Sequence, residues 1–193
     1  MEWLLDLLDR FVSDADDLSA GRAKVAGIDA GGEAGATAYL EACRLIGEAA
    51  TDSAGLIAAL DEIDEPTLVQ RIGCLVIACF AALRANYPAR PDAVAARTAL
   101  VSRAGPVTED AGTTFGFELH GWLTALVGTA AEQLSTLAAT RAPLVRVETG
   151  VSVPAALIAW DLYGDPSRDA ELVDRNESGT AFVMPVILEA LAP

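Results

Sequence analysis

A mainly α fold is predicted, with a helical domain over residues 1–141 followed by a small α+β module of strand, helix, helix and strand over residues 142–193. Three observations predict it. Hydrophobic residues make up 52% of the chain but aromatics only 6%, and small apolar side chains at that density favour closely packed helices over a sandwich of β-branched and aromatic residues. Apolar residues recur three and four apart through most of the chain. The run Leu144-Val145-Arg146-Val147-Glu148-Thr149 breaks that period, alternates, and reads as a strand. The 193 residues suffice for one domain or two small ones with a buried core.

The elements follow in order. Trp3, Leu4, Leu7, Leu8, Phe11 and Val12 lie at helical spacing, with Glu2, Asp6, Asp9 and Asp16 on the other face. This amphipathic helix must be covered, and packing on its own domain is expected ahead of a partner. Residues 20–35 hold Gly21, Gly27, Gly31, Gly32 and Gly35 with few large apolar side chains, which predicts a flexible break. Residues 37–50 read as a helix with Tyr39, Cys43 and Ile46 on one side, and Leu56, Ile57 and Leu60 open a short apolar segment. Pro66 suits the first turn of the next helix, expected to reach about residue 85 before Pro88 and Pro91. Asp92 suits an N-cap for a helix through Arg103, and Gly105-Pro106 reads as a break. Residues 108–140 carry the longest pattern, with Leu119, Leu123, Leu126, Ala130, Leu134 and Leu137 in one stripe. Its glycines at 112, 116, 121 and 128 point to close helix contact or to a break near Gly121. After the strand and Gly150, Val153-Pro154 starts a helix whose apolar face is Leu157, Ile158 and Leu162. Gly164-Asp165-Pro166 is a turn, Ser167 or Asp169 caps a helix carrying Leu172 and Val173 to Asn176, and residues 187–191 offer a closing strand.

Charge narrows the function classes. The formal net charge is -15, so direct contact with nucleic acid or with an anionic membrane is disfavoured. The most apolar run, residues 72–83 between Arg71 and Arg84, is too short to span a bilayer. Met1-Glu2-Trp3 begins on an acidic pattern with no basic leader, so no signal peptide is expected there. Cys43, Cys74 and Cys79 are expected to be buried free thiols.

Chemistry-bearing groups are sparse. His120 is the chain's only histidine and Lys24 its only lysine, which leaves no His pair, zinc set or phosphate-binding Gly-Lys-Ser loop. Ser102, Ser135 and Ser152 lie in no nucleophile-elbow context. Asp161, Asp165, Asp169 and Asp174 lack calcium-loop spacing and read as a solvated face with caps. No catalytic residue, metal or cofactor is expected, and the chain is not expected to be an enzyme. Asn176-Glu177-Ser178 matches a glycosylation acceptor, a short pattern that means little without a secretory signal.

The C-terminal residues carry a resemblance. Val145 and Val147, Gly150, residues 157–159, Tyr163-Gly164, Leu172, Asn176 and residues 188–191 stand where a LysM module has its strand, glycine, first helix, aromatic-Gly pair, second helix, closing Asn and last strand. More closely, Pro154-Ala155-Ala156-Leu157-Ile158-Ala159, Leu162-Tyr163-Gly164-Asp165, Ala170-Glu171-Leu172-Val173 and Arg175-Asn176 resemble the C-terminal region of the DNA circularisation proteins of Mu-like tailed phages. Leu188-Glu189-Ala190-Leu191 is similar to their ending, while the helical residues from about 96 to 140 are similar in pattern only. That family carries a further N-terminal domain, and no counterpart of it is expected in these residues.

The resemblance implies a structural virion protein of the baseplate or tail hub, made in the host cytoplasm. Its partners would be other tail proteins of the tube, hub or wedge, with multiple copies in a symmetric ring. The LysM-like module would serve protein–protein docking, with Gly150, Leu157, Tyr163, Gly164, Asp165, Leu172 and Asn176 as its motif residues. The alternative is a peptidoglycan-binding LysM protein. Two departures bear on that choice: Gly150-Val151-Ser152 stands where glycan-binding modules have Gly-Asp-Thr, and Met184-Pro185-Val186 replaces a Pro-Gly-Gly-like loop. Both fall where the sugar groove would form. The family's name implies DNA contact, yet residues 142–193 set Arg146, Arg168 and Arg175 against eight acids.

Overall fold

The computed structural model describes residues 1–192. It is mainly helical, with nine α-helices and one two-stranded antiparallel sheet among the described residues. Two compact units divide the chain: Met1–Asn86 with Ala93–Leu137, and Tyr87–Asp92 with the residues from Ala138 onward. The second unit thus takes in Tyr87–Asp92, which a reading along the sequence assigns to the helical domain. Ala89 forms a parallel bridge with Ala142, and the Arg90 N–H donates to the Ala142 carbonyl at 2.9 Å. A pairing across some fifty residues leaves no local signal.

In the first unit, α1 (Glu2–Phe11) buries Leu4, Leu7 and Leu8, so its apolar face is covered within the chain. The expected flexible break at 20–35 is helical instead. Helix α2 (Ala15–Gly27) is followed by a 3-10 turn (Ile28–Ala30) and α3 (Gly32–Ala49). Asp14 caps α2 by accepting from the N–H groups of Asp16 and Asp17. Gly21 is there for size: a Cβ on it would lie 2.6 Å from Leu8 Cδ2. Small residues let α1 and α2 approach, a packing cause that composition alone reads as looseness.

Helix α3 packs chiefly on α2 and on α5 (Leu68–Arg84), and α4 (Ser53–Asp61) packs on α5. Gly47 of α3 sits against α5 so closely that a Cβ would lie 2.6 Å from the Ile77 carbonyl oxygen. Helix α5 starts at Leu68, two residues beyond Pro66, with Thr67 as N-cap in a capping box with Gln70, so Pro66 lies outside its first turn. It is the most buried helix, from Ile72 through Ala82. All three cysteines are free and buried; burial pushes the Cys74 thiol up to about 11 and Cys79 to about 12.

Two further expectations are corrected. Helix α6 (Arg90–Phe115) runs through Gly105-Pro106 without a break, because Leu100, Ala104, Val107 and Ala111 form one buried stripe across it. Asp92 is inside this helix, where its carboxylate accepts from the Ala89 N–H at 3.0 Å. The break in the 108–140 region falls at Gly116, whose φ of +99° ends α6 before α7 (Phe117–Thr140). Gly121 lies within α7 with open space around it. Leu123, Val127, Ala130, Leu134 and Ala138 are buried along α7, while His120 is exposed and lies over Gly112. Arg71–Asp110 and Arg103–Asp61 ion pairs join α6 to α5 and α4.

The second unit follows the order strand, helix, helix, strand. Strand β1 (Leu144–Glu148) pairs antiparallel with β2 (Ile187–Leu191), Arg146 opposite Glu189 and Val147 opposite Leu188. Between them come α8 (Ala155–Tyr163), a 3-10 turn (Pro166–Arg168) and α9 (Asp169–Arg175). Pro154 is the N-cap of α8 and lies outside its first turn. Ala155, Ile158, Ala159, Leu172, Met184, Leu188 and Ala190 form the core, with Val145, Val147, Leu162 and Tyr163 packed against it. No helix among the described residues is long and apolar enough to cross a membrane.

Candidate functional site

The Tyr163-Gly164-Asp165 turn is built from three separate local causes. Gly164 ends α8 in the left-handed region at φ +70°, and its N–H returns to the Trp160 carbonyl at 2.8 Å. Asp165 accepts from the Ser167 N–H at 2.9 Å and its hydroxyl at 2.7 Å, which caps the 3-10 turn; the cap of α9 expected at Ser167 or Asp169 falls on Arg168, with no side-chain bond. Those two bonds hold the Asp165 carboxyl below its ordinary value. Tyr163 donates its hydroxyl to the Leu191 carbonyl at 3.2 Å, tying the turn to the last residue of β2. Burial raises the Tyr163 pKa.

Arg168 was not singled out in the sequence, yet it organises this corner. Its guanidinium lies 3.6 Å from the Tyr163 ring centroid and donates to Glu171 through Nε at 3.1 Å and Nη2 at 2.6 Å. A one-turn Arg-x-x-Glu spacing after the turn is the only sequence signal for it.

Asn176 closes α9 and does more. Its Nδ2 donates to the Leu172 and Glu189 carbonyls, each at 2.8 Å, and its Oδ1 accepts the Glu189 N–H at 2.8 Å. The amide therefore occupies the outer edge of β2 as a neighbouring strand's peptide would. Leu172 is fully buried beneath it.

Leu157 departs from expectation. Ala155, Ile158 and Ala159 take the buried side of α8, which leaves Leu157 55% and Trp160 59% exposed. The helix is only nine residues long, and small residues win the inner face because the sheet and α9 lie close. Gly150 takes φ +73° in the loop after β1, away from the Tyr163 turn in sequence. Of the seven motif residues, Tyr163, Gly164, Asp165, Leu172 and Asn176 thus serve the architecture of this unit, while Leu157 is an exposed apolar side chain.

The two loops expected to frame a sugar groove are zipped to each other. Thr149 N–H donates to Val186 O, Met184 N–H to Val153 O and Ala155 N–H to Ala181 O. The hydroxyls of Thr149 and Ser152 are spent on backbone carbonyls of Val151 and Met184. The loops also leave large apolar side chains in solvent: Val151, Phe182 at 80% and Val183.

Elsewhere, Ser135 donates to the Ala131 carbonyl and accepts from Arg97, and the Asp169 carboxylate accepts from the Ala170 N–H. No group of three His, Cys, Asp or Glu among the described residues is placed to hold a metal. No family model matches this chain, and no curated protein matches its sequence.

Proposed function

We propose that the chain is a structural, non-enzymatic protein of a tailed-phage virion, sited in the baseplate or tail hub. Its C-terminal unit is a LysM-like module used for docking on neighbouring tail proteins, and its helical unit packs against tube, hub or wedge components in a ring of several copies. The carrying observation is the second unit's strand, helix, helix, strand order, closed by the Asn176–Glu189 pairing and by the Tyr163 bond to Leu191. These are the motif positions on which the resemblance to the phage circularisation proteins rests.

Docking is favoured over glycan binding by the loop chemistry. A sugar groove needs free hydroxyl, amide or carboxylate groups beside an aromatic platform. Here Thr149 and Ser152 are engaged with backbone, and the large apolar side chains Val151, Phe182 and Val183 stand exposed on the same loops. Sedimentation with purified peptidoglycan separates the two readings. The docking reading predicts that the chain stays in the supernatant; saturable co-sedimentation would replace it with the glycan reading.

A further inference from the structure

The sheet of the second unit has two edges: the one beside Glu189 is filled, and the outer edge of β1 is covered only ahead of the strand, where Ala89 bridges Ala142 and the Arg90 N–H donates to the Ala142 carbonyl. The backbone bonds Thr149 N–H to Val186 O and Ala192 N–H to Pro143 O fix the parity of the ladder: odd-numbered residues of β1 face β2. The N–H and C=O groups of Arg146 and Glu148 therefore point away from β2. Among the described residues nothing hydrogen-bonds to them. The opposite edge, at Glu189 of β2, is filled by the Asn176 amide. An open edge of unpaired backbone groups is a template for another strand.

The side chains on that edge say which strand. Val145 and Val147 turn inward to the core, so Arg146 and Glu148 lie on the other face, and both are exposed. When β1 pairs antiparallel with a second β1 about a two-fold axis at Val147, Arg146 falls opposite Glu148 of the second copy, twice. The backbone parity matches, since both residues present outward N–H and C=O groups, and four backbone hydrogen bonds form. Slipping the pairing to centre on Arg146 sets arginine against arginine; centring on Glu148 sets glutamate against glutamate. Directly opposite like charges destabilise a cross-strand pair and opposite charges stabilise it. Within each copy Arg146 also stands opposite Glu189, so charges of alternate sign cross the extended sheet.

We propose that the occupant of this edge is a second copy of the chain, joined β1 to β1 into a four-stranded antiparallel sheet in the Arg146–Glu148 register. The contact is isologous and closes at two copies, so it is separate from the head-to-tail contacts of a ring. It does not rest on the virion reading and holds or fails independently of it.

Sedimentation-equilibrium centrifugation of the full chain tests it. The expected result is a reversible dimer. Arg146→Glu alone and Glu148→Arg alone each weaken it about tenfold or more, because each puts like charges opposite at two symmetric places. The double exchange Arg146→Glu with Glu148→Arg restores it, and urea unfolding of each variant controls for the loss of the Arg146–Glu189 pairing within a copy. A monomer throughout the concentration range overturns the proposal. So does a dimer indifferent to the single reversals, and so does a double exchange that fails to recover association.

Discussion

The side-chain amide of Asn176 offers Glu189 one donor and one acceptor, the same pair a neighbouring backbone would offer. Replacing it with Ala leaves both Glu189 groups without the amide partners and leaves the Leu172 carbonyl with the backbone N–H of position 176 alone. The expected loss is about 1–3 kcal/mol, read by urea unfolding, with faster hydrogen exchange at Glu189. Gly164→Ala forces a Cβ into the left-handed region and is expected to cost about 1–2 kcal/mol in the same assay. Asp165 gives a pH signature. Its folded-state pKa is depressed by Ser167, so its stabilising contribution is present above the unfolded carboxyl value near 4 and disappears as pH falls through the lower folded value. Asp165→Asn should lack that acid-side loss, visible as a flatter unfolding midpoint below about pH 4. The thiols behave oppositely to reactive ones: burial and raised pKa values at Cys74 and Cys79 predict no alkylation by iodoacetamide at pH 8 until the protein is unfolded. Legibility at this scale was uneven. Gly164 and Asp165 declared their turn roles through residue type. The sheet-edge role of Asn176 and the stacking of Arg168 on Tyr163 depend on tertiary placement, which a single sequence does not encode locally.

Helices with a sharp two-faced pattern were readable from spacing: α1 buries Leu4, Leu7 and Leu8, and the apolar run around residues 72–83 became α5. Strand β1 also lies where alternation put it, and β2 lies at the expected closing strand. The failures share a cause. Gly21 and Gly47 look like flexibility or indifference in a sequence, yet they are contact residues whose missing Cβ lets helices touch. Pro106 looks like a stop, yet the buried stripe from Leu100 to Ala111 carries α6 across it. In each case packing between elements overrode a local propensity worth about 1–3 kcal/mol. The element-scale prediction follows from Gly47. A methyl there meets the Ile77 carbonyl and Phe80, so Gly47→Ala should separate α3 from α5 and cost about 1–3 kcal/mol. An alanine at this position gains helix propensity, so a stabilised variant in thermal melts would contradict the packing account.

At the scale of the whole molecule, two acidic units of different make-up share one chain. The helical unit is a packed bundle with surplus apolar surface at Phe115, Phe117 and Trp122. The smaller unit encloses its own core and exposes Leu157, Trp160 and Phe182. Exposed large apolar side chains beside an acidic surface fit a protein that works by contact with other proteins, and the net charge of -15 opposes contact with nucleic acid at any salt where screening is incomplete. The candidate site was legible in the sequence as a motif and illegible as a surface: residue order named the turn, while which side chains reach solvent emerged only from the fold. The most direct test of the proposed virion role is quantitative mass spectrometry of gradient-purified phage particles induced from the cells that carry the gene, with tails separated from heads. The account predicts the chain in the tail fraction at several copies per particle, in fixed ratio to the tail-hub proteins. Its absence from intact particles, while it is abundant in the induced cell, would contradict that role.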